Sequence, residues 1–217
     1  MFIVSVKSSD SEELRKIELS DGSIFSFKTC YLSPAFIDER LYTPGAAEGC
    51  KISATEEEGF RFAAGCLQAE KAALQLVARA EQNVFGLIRK LEKRRHDPAC
   101  VRAVIGRLCE LDLLDDHRYA RLWLETRISR QSSSPWRLLA ALRSRGIDRN
   151  DAESAVKEAL DDDTEFQLLQ RYVEKIKRKQ AVKSGAQESA AEAQRSLKYQ
   201  LRNEGFSTSA IQRFFEE

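Results

Sequence analysis

A helix–turn–helix pattern that occurs three times after residue 86 limits the possible folds more than any other feature of the sequence. Each copy begins with two leucines four residues apart, which lie on one face of a helix. Four residues after the second leucine, two copies have a glycine, the residue type that most often ends a helix in the left-handed conformation. Two positions later, a short polar residue predicts the N-cap of the next helix. The leucine pairs are Leu87 and Leu91, Leu138 and Leu142, and Leu197 and Leu201; the residues at the glycine position are Arg95, Gly146 and Gly205; and the predicted caps are Asp97, Asp148 and Ser207.

Another apolar helix is predicted in front of each helix pair, over residues 72–80, 116–129 and 164–179. Each repeat therefore has three helices, and successive pairs begin 51 and 59 residues apart. In tandem repeats of this size each unit packs mainly on its neighbours, which builds an extended body with long faces. The predicted fold class is mainly α, with three tandem three-helix repeats in an extended curved body.

The first 30 residues have a different pattern, in which apolar and polar side chains alternate as they do in half-buried strands. The segments FIVSVK, LRKIEL and SIFSFK are predicted strands, and Asp21-Gly22 is typical of a tight hairpin turn. TPGAAEG is a predicted loop, and from about Glu56 the sequence becomes helical. We therefore predict a small β-rich N-terminal module at residues 1–55 and helical repeats at residues 56–111, 112–161 and 162–217.

Two adjacent carboxylates, Asp115 and Asp116, stand beside one of the two histidines of the chain, His117. A metal site would need further ligands, and the nearest one, Asp112, precedes a predicted turn. An aspartate at a helix N-cap accepts a hydrogen bond from an unpaired backbone N–H, and negative charge in the first turn suits the helix dipole. We interpret Asp115 and Asp116 as structural caps of the first helix in the second repeat, and we predict neither a catalytic residue nor a metal ligand here.

Composition and motifs argue against several classes of protein. Five cysteines without a Cys-x-x-Cys pair speak against a disulfide framework and against zinc, so we expect reduced thiols in the cytoplasm. The first residues do not have the pattern of a signal peptide, and no apolar run approaches the ~18 residues of a membrane span. The motifs of a phosphate-binding loop, a zinc protease and a serine hydrolase are missing. The sequence therefore predicts a protein that is not an enzyme and needs no cofactor.

Positive charge is concentrated in the helical part, although the net charge is only +1. Residues 1–60 have six basic and eleven acidic side chains, whereas the remaining residues have 29 and 23. For any single basic residue, a solvated helix face is the better explanation. Their recurrence at matching places predicts a basic face that binds phosphates or carboxylates, and Tyr119 and Trp123 are interpreted as core residues rather than platforms for bases. The candidate binding residues are Arg89, Lys90, Arg94 and Arg95 in the first repeat, Arg137, Arg143 and Arg145 in the second, and Lys198 and Arg202 in the third.

Part of the sequence resembles a known family. LLDDHRYARLWLETR, followed by PWRLLAALRSRGID, is similar to the RecX family of regulators of the RecA recombinase, and ARAEQNVFGLIRKLEKR is similar to the first repeat of that family. The resemblance implies tandem three-helix repeats, binding to RecA filaments on DNA, and restraint of strand exchange and ATP hydrolysis. On this basis we expect a monomeric, cytoplasmic regulator whose partners are the RecA filament and single- and double-stranded DNA.

The same residues permit a function from another class. A short turn between two short helices, as at Gly146-Ile147-Asp148, also occurs in helix-turn-helix proteins that bind DNA without a partner protein. The two hypotheses differ in the preferred ligand, which is bare duplex DNA for one and recombinase-coated single strands for the other.

Overall fold

The chain divides into two units, Met1–Leu114 and Asp115–Glu217, in the computed structural model, which describes residues 1–8, 13–33, 47–181 and 190–216. These described residues form a three-stranded antiparallel sheet followed by nine α-helices, so the prediction of a mainly helical chain with a β-rich N-terminal segment is confirmed. The curvature of the body and its division into a module and three repeats stay predictions. None of the helices described combines the length and the hydrophobicity that a bilayer span requires. Most of the predicted loop TPGAAEG lies outside the described residues.

The N-terminal sheet consists of β1 (Ile3–Ser8), β2 (Leu14–Leu19) and β3 (Ile24–Lys28), with β2 in the middle. The alternating pattern places Ile17 and Phe27 on the buried face, where neither is accessible to solvent. Between β2 and β3 the backbone turns at Gly22, which has a φ of 85°. The Asp21 carboxylate accepts a hydrogen bond from the Ser23 N–H at 3.0 Å and supports this turn.

Three helices complete the first unit: α1 (Ala54–Val77), α2 (Val84–Lys93) and α3 (Pro98–Glu110). The sheet packs on α1, where the ring of Phe27 stacks on the ring of Phe60 with 5.4 Å between their centres. One cluster of buried apolar side chains contains residues of the sheet and of all three helices. The predicted module at residues 1–55 and the predicted repeat at residues 56–111 therefore share one hydrophobic core.

The predicted bounds of the first helix of this repeat are wrong. The sequence pattern predicts it over residues 72–80, but α1 begins much earlier and ends slightly sooner. It begins early because Ser53 is its N-cap and forms a capping box with Glu56, in which each side chain accepts a hydrogen bond from the other residue's backbone N–H. It ends before residue 80 in a turn held by Gln82, whose side-chain amide donates to the carbonyl oxygen of Leu76 at 3.3 Å.

Six helices are described in the second unit: α4 (Asp116–Arg130), α5 (Pro135–Arg143), α6 (Arg149–Ala159), α7 (Asp162–Ala181), α8 (Ala190–Glu204) and α9 (Thr208–Glu216). Two clusters of buried apolar side chains hold them together. α4, α5 and α6 surround the first cluster, which includes Leu124, and α7, α8 and α9 surround the second, which includes Leu169 and Leu201. Ile128 and Leu160 pack against both clusters, so the two groups of helices are continuous.

The middle helix of each group of three ends in the same hydrogen-bonded turn. A residue with left-handed backbone closes each helix, with a φ of 64° at Arg95, 85° at Gly146 and 94° at Gly205. The N–H of the next residue donates to a carbonyl five positions back, which is the Schellman motif. The donor and acceptor pairs are His96 and Leu91, Ile147 and Leu142, and Phe206 and Leu201. The predicted glycine turns are confirmed, and Arg95 adopts in the first copy the conformation that glycine adopts in the others.

A side-chain cap then starts the third helix of each group. The oxygen of each predicted cap accepts a hydrogen bond from a backbone N–H in the first turn, which satisfies a donor that has no partner within the helix. The pairs and their N–O distances are Asp97 with Ala99 at 2.8 Å, Asp148 with Asn150 at 2.9 Å, and Ser207 with Ala210 at 3.2 Å. These three predicted caps are confirmed.

Candidate nucleic-acid interface

The acidic pair at residues 115 and 116 begins α4. The Asp115 carboxylate accepts a hydrogen bond from the Arg118 N–H at 2.9 Å, so Asp115 is the N-cap. Asp116 is the first helical residue and not a second cap, although its charge suits the positive end of the helix dipole. The Nε2 atom of His117 lies 3.4 Å from a carboxylate oxygen of Glu158. Over the described part of the chain, no three His, Cys, Asp or Glu side chains are grouped as metal ligands would be.

Four candidate binding residues lie in the first unit, near the C-terminal end of α2: Arg89, Lys90, Arg94 and Arg95. The Lys90 Nζ donates to the side-chain oxygen of Gln82 at 2.5 Å and thereby supports the turn between α1 and α2. The guanidinium carbon of Arg89 lies 5.7 Å from the centre of the Phe85 ring. All four residues are exposed. Because Arg89 lies against Phe85 and Lys90 is bonded to Gln82, Arg94 and Arg95 are better placed to contact a partner.

Arg137, a candidate of the second unit, forms an ion pair inside that unit. Its Nη2 donates to Oε2 of Glu204 at 2.8 Å, and its Nε contacts Oε1 of the same carboxylate. The Glu204 side chain is only 10% exposed. Ser134, the buried N-cap of α5, donates from Oγ to the Glu204 carbonyl oxygen at 2.5 Å. The start of α5 is therefore tied to the end of α8, and Arg137 has a structural role.

Two arginines lie against the indole ring of Trp123. The guanidinium carbon of Arg145 is 4.5 Å from the ring centre and that of Arg127 is 5.6 Å from it. Arg145 also donates from Nη1 to the Ala141 carbonyl oxygen at 2.8 Å. Cation–π contacts of this kind limit the freedom of both arginines. Trp123 and Tyr119 are half-buried and pack against the first cluster, as their interpretation as core residues predicts.

The other candidates of this unit differ in exposure. The Lys198 Nζ lies 4.6 Å from the centre of the Phe215 ring and is half-buried with it. Arg143 and Arg202, near the ends of α5 and α8, are exposed. They are therefore better placed for partner contacts than Lys198, which is half-buried, and than Arg137, which is exposed but engaged by Glu204.

A cleft of about 530 Å³ lies between α4, α5 and α7 in the second unit, and we call it the aromatic cleft. The exposed ring on its wall is Trp136, with 61% of the residue accessible. Three aromatic and four cationic residues line the cleft: Trp123, Trp136 and Tyr172, and Arg127, Arg137, Lys175 and Lys179. A ring and several cations in one concavity are the combination that binds unpaired nucleic-acid strands.

Glu204 is the acidic side chain that lines the aromatic cleft. Its carboxylate is paired with Arg137, so its negative charge is compensated. Burial raises the pKa of the Tyr172 hydroxyl, and a hydrogen bond from this hydroxyl to Glu204 raises it further. Tyr172 is therefore neutral at physiological pH, and the charge that the cleft presents to a ligand comes from Arg127, Lys175 and Lys179.

Sequence reasoning missed Trp136. The signal was present, because Trp136 lies two positions before Leu138 and thus on nearly the opposite face of a helix from the buried leucine. A tryptophan off the apolar stripe is expected to be exposed, and an exposed indole ring is available to contact a ligand. That Lys175 and Lys179 line the same cleft as this ring could not be predicted in this way, because it depends on how α7 packs near α5.

Comparison with known proteins confirms the resemblance seen in the sequence. A family model described as the second three-helix domain of RecX matches residues 115–156. Regulatory protein RecX of Treponema pallidum (strain Nichols) is 36% identical over 118 residues, which are 54% of this chain and 72% of the relative. Regulatory protein RecX of Halorhodospira halophila (strain DSM 244 / SL1) is 38% identical over 91 residues, which are 42% of this chain and 53% of the relative.

Two solved structures are similar in fold. A crystal structure of regulatory protein RecX superposes with a TM-score of 0.73 at 18% identity, covering 100% of this chain and 99% of that one. The crystal structure of RecX from Lactobacillus salivarius superposes with a TM-score of 0.60 at 22% identity, covering 70% of this chain and 95% of that one. The likeness to the first extends over the N-terminal sheet as well as the helices.

Proposed function

Since the chain belongs to the RecX family of regulatory proteins, we propose that it binds RecA recombinase filaments on DNA and inhibits their ATP hydrolysis and strand exchange. The observation that carries this proposal is the match of residues 115–156 to the second RecX domain, because these residues contain the arginine-rich helices of the second unit. The protein acts in the cytoplasm as a monomer and as a regulator rather than an enzyme, and it needs no cofactor.

The arrangement of helices suits a filament as a partner. A filament presents the same surface many times, and a chain with several helical groups contacts more than one of these surfaces at once. Linked weak contacts produce an affinity well above that of each contact alone. Exposed arginines supply such contacts with carboxylates of the recombinase or with phosphates of single- and double-stranded DNA.

Arg143 and Arg202 are the residues of the second unit that we assign to partner contact, because both side chains are exposed. Arg94 and Arg95 take the same role in the first unit. Arg137 is a poor choice for a test, since its removal also leaves the buried Glu204 carboxylate without its partner.

The test is co-sedimentation of the full chain with RecA filaments assembled on single-stranded DNA, together with the rate of ATP hydrolysis by the filament. We expect the wild-type chain to sediment with the filament and to slow hydrolysis. The double variant Arg143→Ala/Arg202→Ala should need a severalfold higher concentration for the same inhibition. The matched control is Arg149→Ala/Arg178→Ala, which also removes two charges, from arginines that pair with Glu153 and Glu174 of their own helices.

A chain that leaves filament sedimentation and ATP hydrolysis unchanged would contradict the proposal. If the chain instead bound bare duplex DNA more tightly than recombinase-coated single strands, the alternative of a stand-alone helix-turn-helix protein would replace the proposed function. Equal losses in the test and control variants would mean that net charge, not Arg143 and Arg202, determines binding.

A further inference from the structure

We propose that the aromatic cleft binds single-stranded DNA, with an unpaired base stacked on Trp136 and the neighbouring phosphates held by Arg127, Lys175 and Lys179. The proposal rests on the proposed function, because it gives the place where a regulator of the filament would contact the DNA strand. It goes beyond that function because it assigns a ligand to a cleft that the chain forms on its own.

The first argument is the position of the Trp136 ring. With 61% of the residue accessible, it presents a large part of its aromatic surface to solvent at the wall of the cleft. The Cβ of Trp136 packs closely on Gly205, where an added Cβ would collide with it. An exposed aromatic ring at the wall of a cleft can act as a stacking platform, and stacking on such a ring contributes strongly to the binding of unpaired bases.

The second argument is the positive charge around the ring. Lys175 and Lys179 are one helical turn apart on α7, both are exposed, and both line the cleft. Arg127 adds a planar guanidinium that is already ordered against Trp123. The cleft volume of about 530 Å³ lies within the ordinary range of ligand sites, roughly 300–1,000 Å³.

The combination favours an unpaired strand over other anionic partners. In a duplex the faces of the bases are stacked on one another, so the Trp136 ring would find no base to contact. An acidic peptide would use the cations but would leave the indole ring without a matching group. Single-stranded DNA supplies both a phosphate chain and exposed base faces.

The experiment measures binding of the full chain to a fluorescent oligodeoxythymidine and, separately, quenching of intrinsic tryptophan fluorescence. Trp136→Ala keeps the Cβ that packs on Gly205 and should weaken binding about 5- to 150-fold, the range for loss of one base–aromatic stack. Trp136→Phe should lie between the wild type and Trp136→Ala. The matched control is Tyr199→Ala, which removes a ring that is 68% exposed and is not part of the cleft wall.

The cations are tested by the salt dependence of the same binding. Lys175→Ala/Lys179→Ala should reduce the slope of log affinity against log salt by about 1.4, since each phosphate contact with a single strand contributes roughly 0.7. Lys157→Ala/Lys177→Ala removes the same charge from exposed positions that do not line the cleft and should leave the slope nearly unchanged. Circular dichroism of each variant verifies that it is folded.

Unchanged oligodeoxythymidine binding by folded Trp136→Ala would overturn the proposal, as would tryptophan quenching that persists in Trp136→Phe at the wild-type level. Competition by polyglutamate that depends on Lys175 and Lys179 but not on Trp136 would assign the cleft to an acidic peptide instead. The proposed function can fail separately. If the chain bound oligodeoxythymidine through Trp136 but did not bind RecA filaments, the proposed DNA site would stand and the recombinase would be excluded as the partner.

Discussion

The guanidinium of Arg137 at the start of α5 holds the carboxylate of Glu204 at the end of α8, with 2.8 Å between Nη2 and Oε2. The two residues are 67 positions apart in the sequence. Because Glu204 is 9% exposed and its carbonyl oxygen also accepts a hydrogen bond from Ser134, the pair connects the helices around the two apolar clusters of the second unit. An arginine predicted to bind a partner thus has a structural function.

Substitution of Arg137 should destabilise the protein. Arg137→Ala leaves a nearly buried carboxylate without a charged partner, and we expect the free energy of unfolding to fall by about 1–3 kcal/mol. Arg143→Ala removes an arginine of the same helix that takes no part in this ion pair, and it should change the free energy of unfolding by less than about 0.5 kcal/mol. Urea denaturation followed by circular dichroism measures both values. Equal stability of the two variants would mean that the ion pair contributes little.

The two aspartates at the start of α4 should differ in their contributions. Asp115→Ala removes the N-cap acceptor and should cost about 0.5–2 kcal/mol. Asp116→Ala removes a favourable charge from the first turn, and this loss should cost about 0.3–1 kcal/mol. Asp115→Asn is the control, since asparagine caps as well as aspartate. Thermal denaturation gives the ranking, and a larger loss for Asp116→Ala would show that the cap is assigned to the wrong residue.

Glycine should be preferred at the left-handed position of all three helix turns. Arg95→Gly removes the steric strain of a side chain in the left-handed conformation, which is about 1–2 kcal/mol. The entropic cost of glycine is about 0.5–1 kcal/mol, so the variant should be more stable by about 0.5–1 kcal/mol. Gly205→Ala should lose about 1–3 kcal/mol, because its Cβ would also collide with Trp136. Chemical denaturation of both variants tests this, and a destabilised Arg95→Gly would contradict it.

Glu70 should be essential for the stability of the first unit. Its side chain is 3% exposed and lies 2.9 Å from the Lys28 Nζ, so it joins α1 to the end of β3. Glu70→Ala should lower the free energy of unfolding by about 3–5 kcal/mol, because it leaves the largely buried Lys28 ammonium without its partner. Glu57→Ala breaks only the surface pair with Arg61 and should cost less than about 1 kcal/mol. Similar losses in equilibrium denaturation would mean that the ion pair of Glu70 with Lys28 is not a major source of stability.

The buried thiols should react slowly in the folded protein. Burial raises the pKa of Cys66 and Cys100, and a hydrogen bond from Cys66 to Cys100 raises that of Cys66 further. A raised pKa means less thiolate at neutral pH, and the thiolate is the form that reacts. Brief iodoacetamide labelling followed by peptide mass spectrometry should modify these two residues only after unfolding in urea. Rapid labelling of either one in the native protein would contradict the prediction.

Local interactions explain what could be predicted from the sequence alone. The Schellman turns at Gly146 and Gly205 and the caps at Asp97, Asp148 and Ser207 depend on residues within five positions of one another, so their patterns are visible in the chain. The three strands followed from alternation and from the Asp21-Gly22 turn for the same reason. The capping box of Ser53 and Glu56 is equally local, and it indicates a start of α1 at residue 54 rather than at the predicted residue 72.

Contacts between distant residues decided the rest. The sequence determined that Arg137, Arg143 and Arg145 are basic and that they lie on or next to a helix, but not that Arg137 pairs with Glu204 or that Arg145 lies against Trp123. Only the packing of α8 against the start of α5 brings Glu204 to Arg137, and only the position of α7 places Lys175 beside Trp136. The physical reason is that helix periodicity specifies which face of a helix is apolar, whereas the neighbour of each polar side chain depends on how those faces pack together.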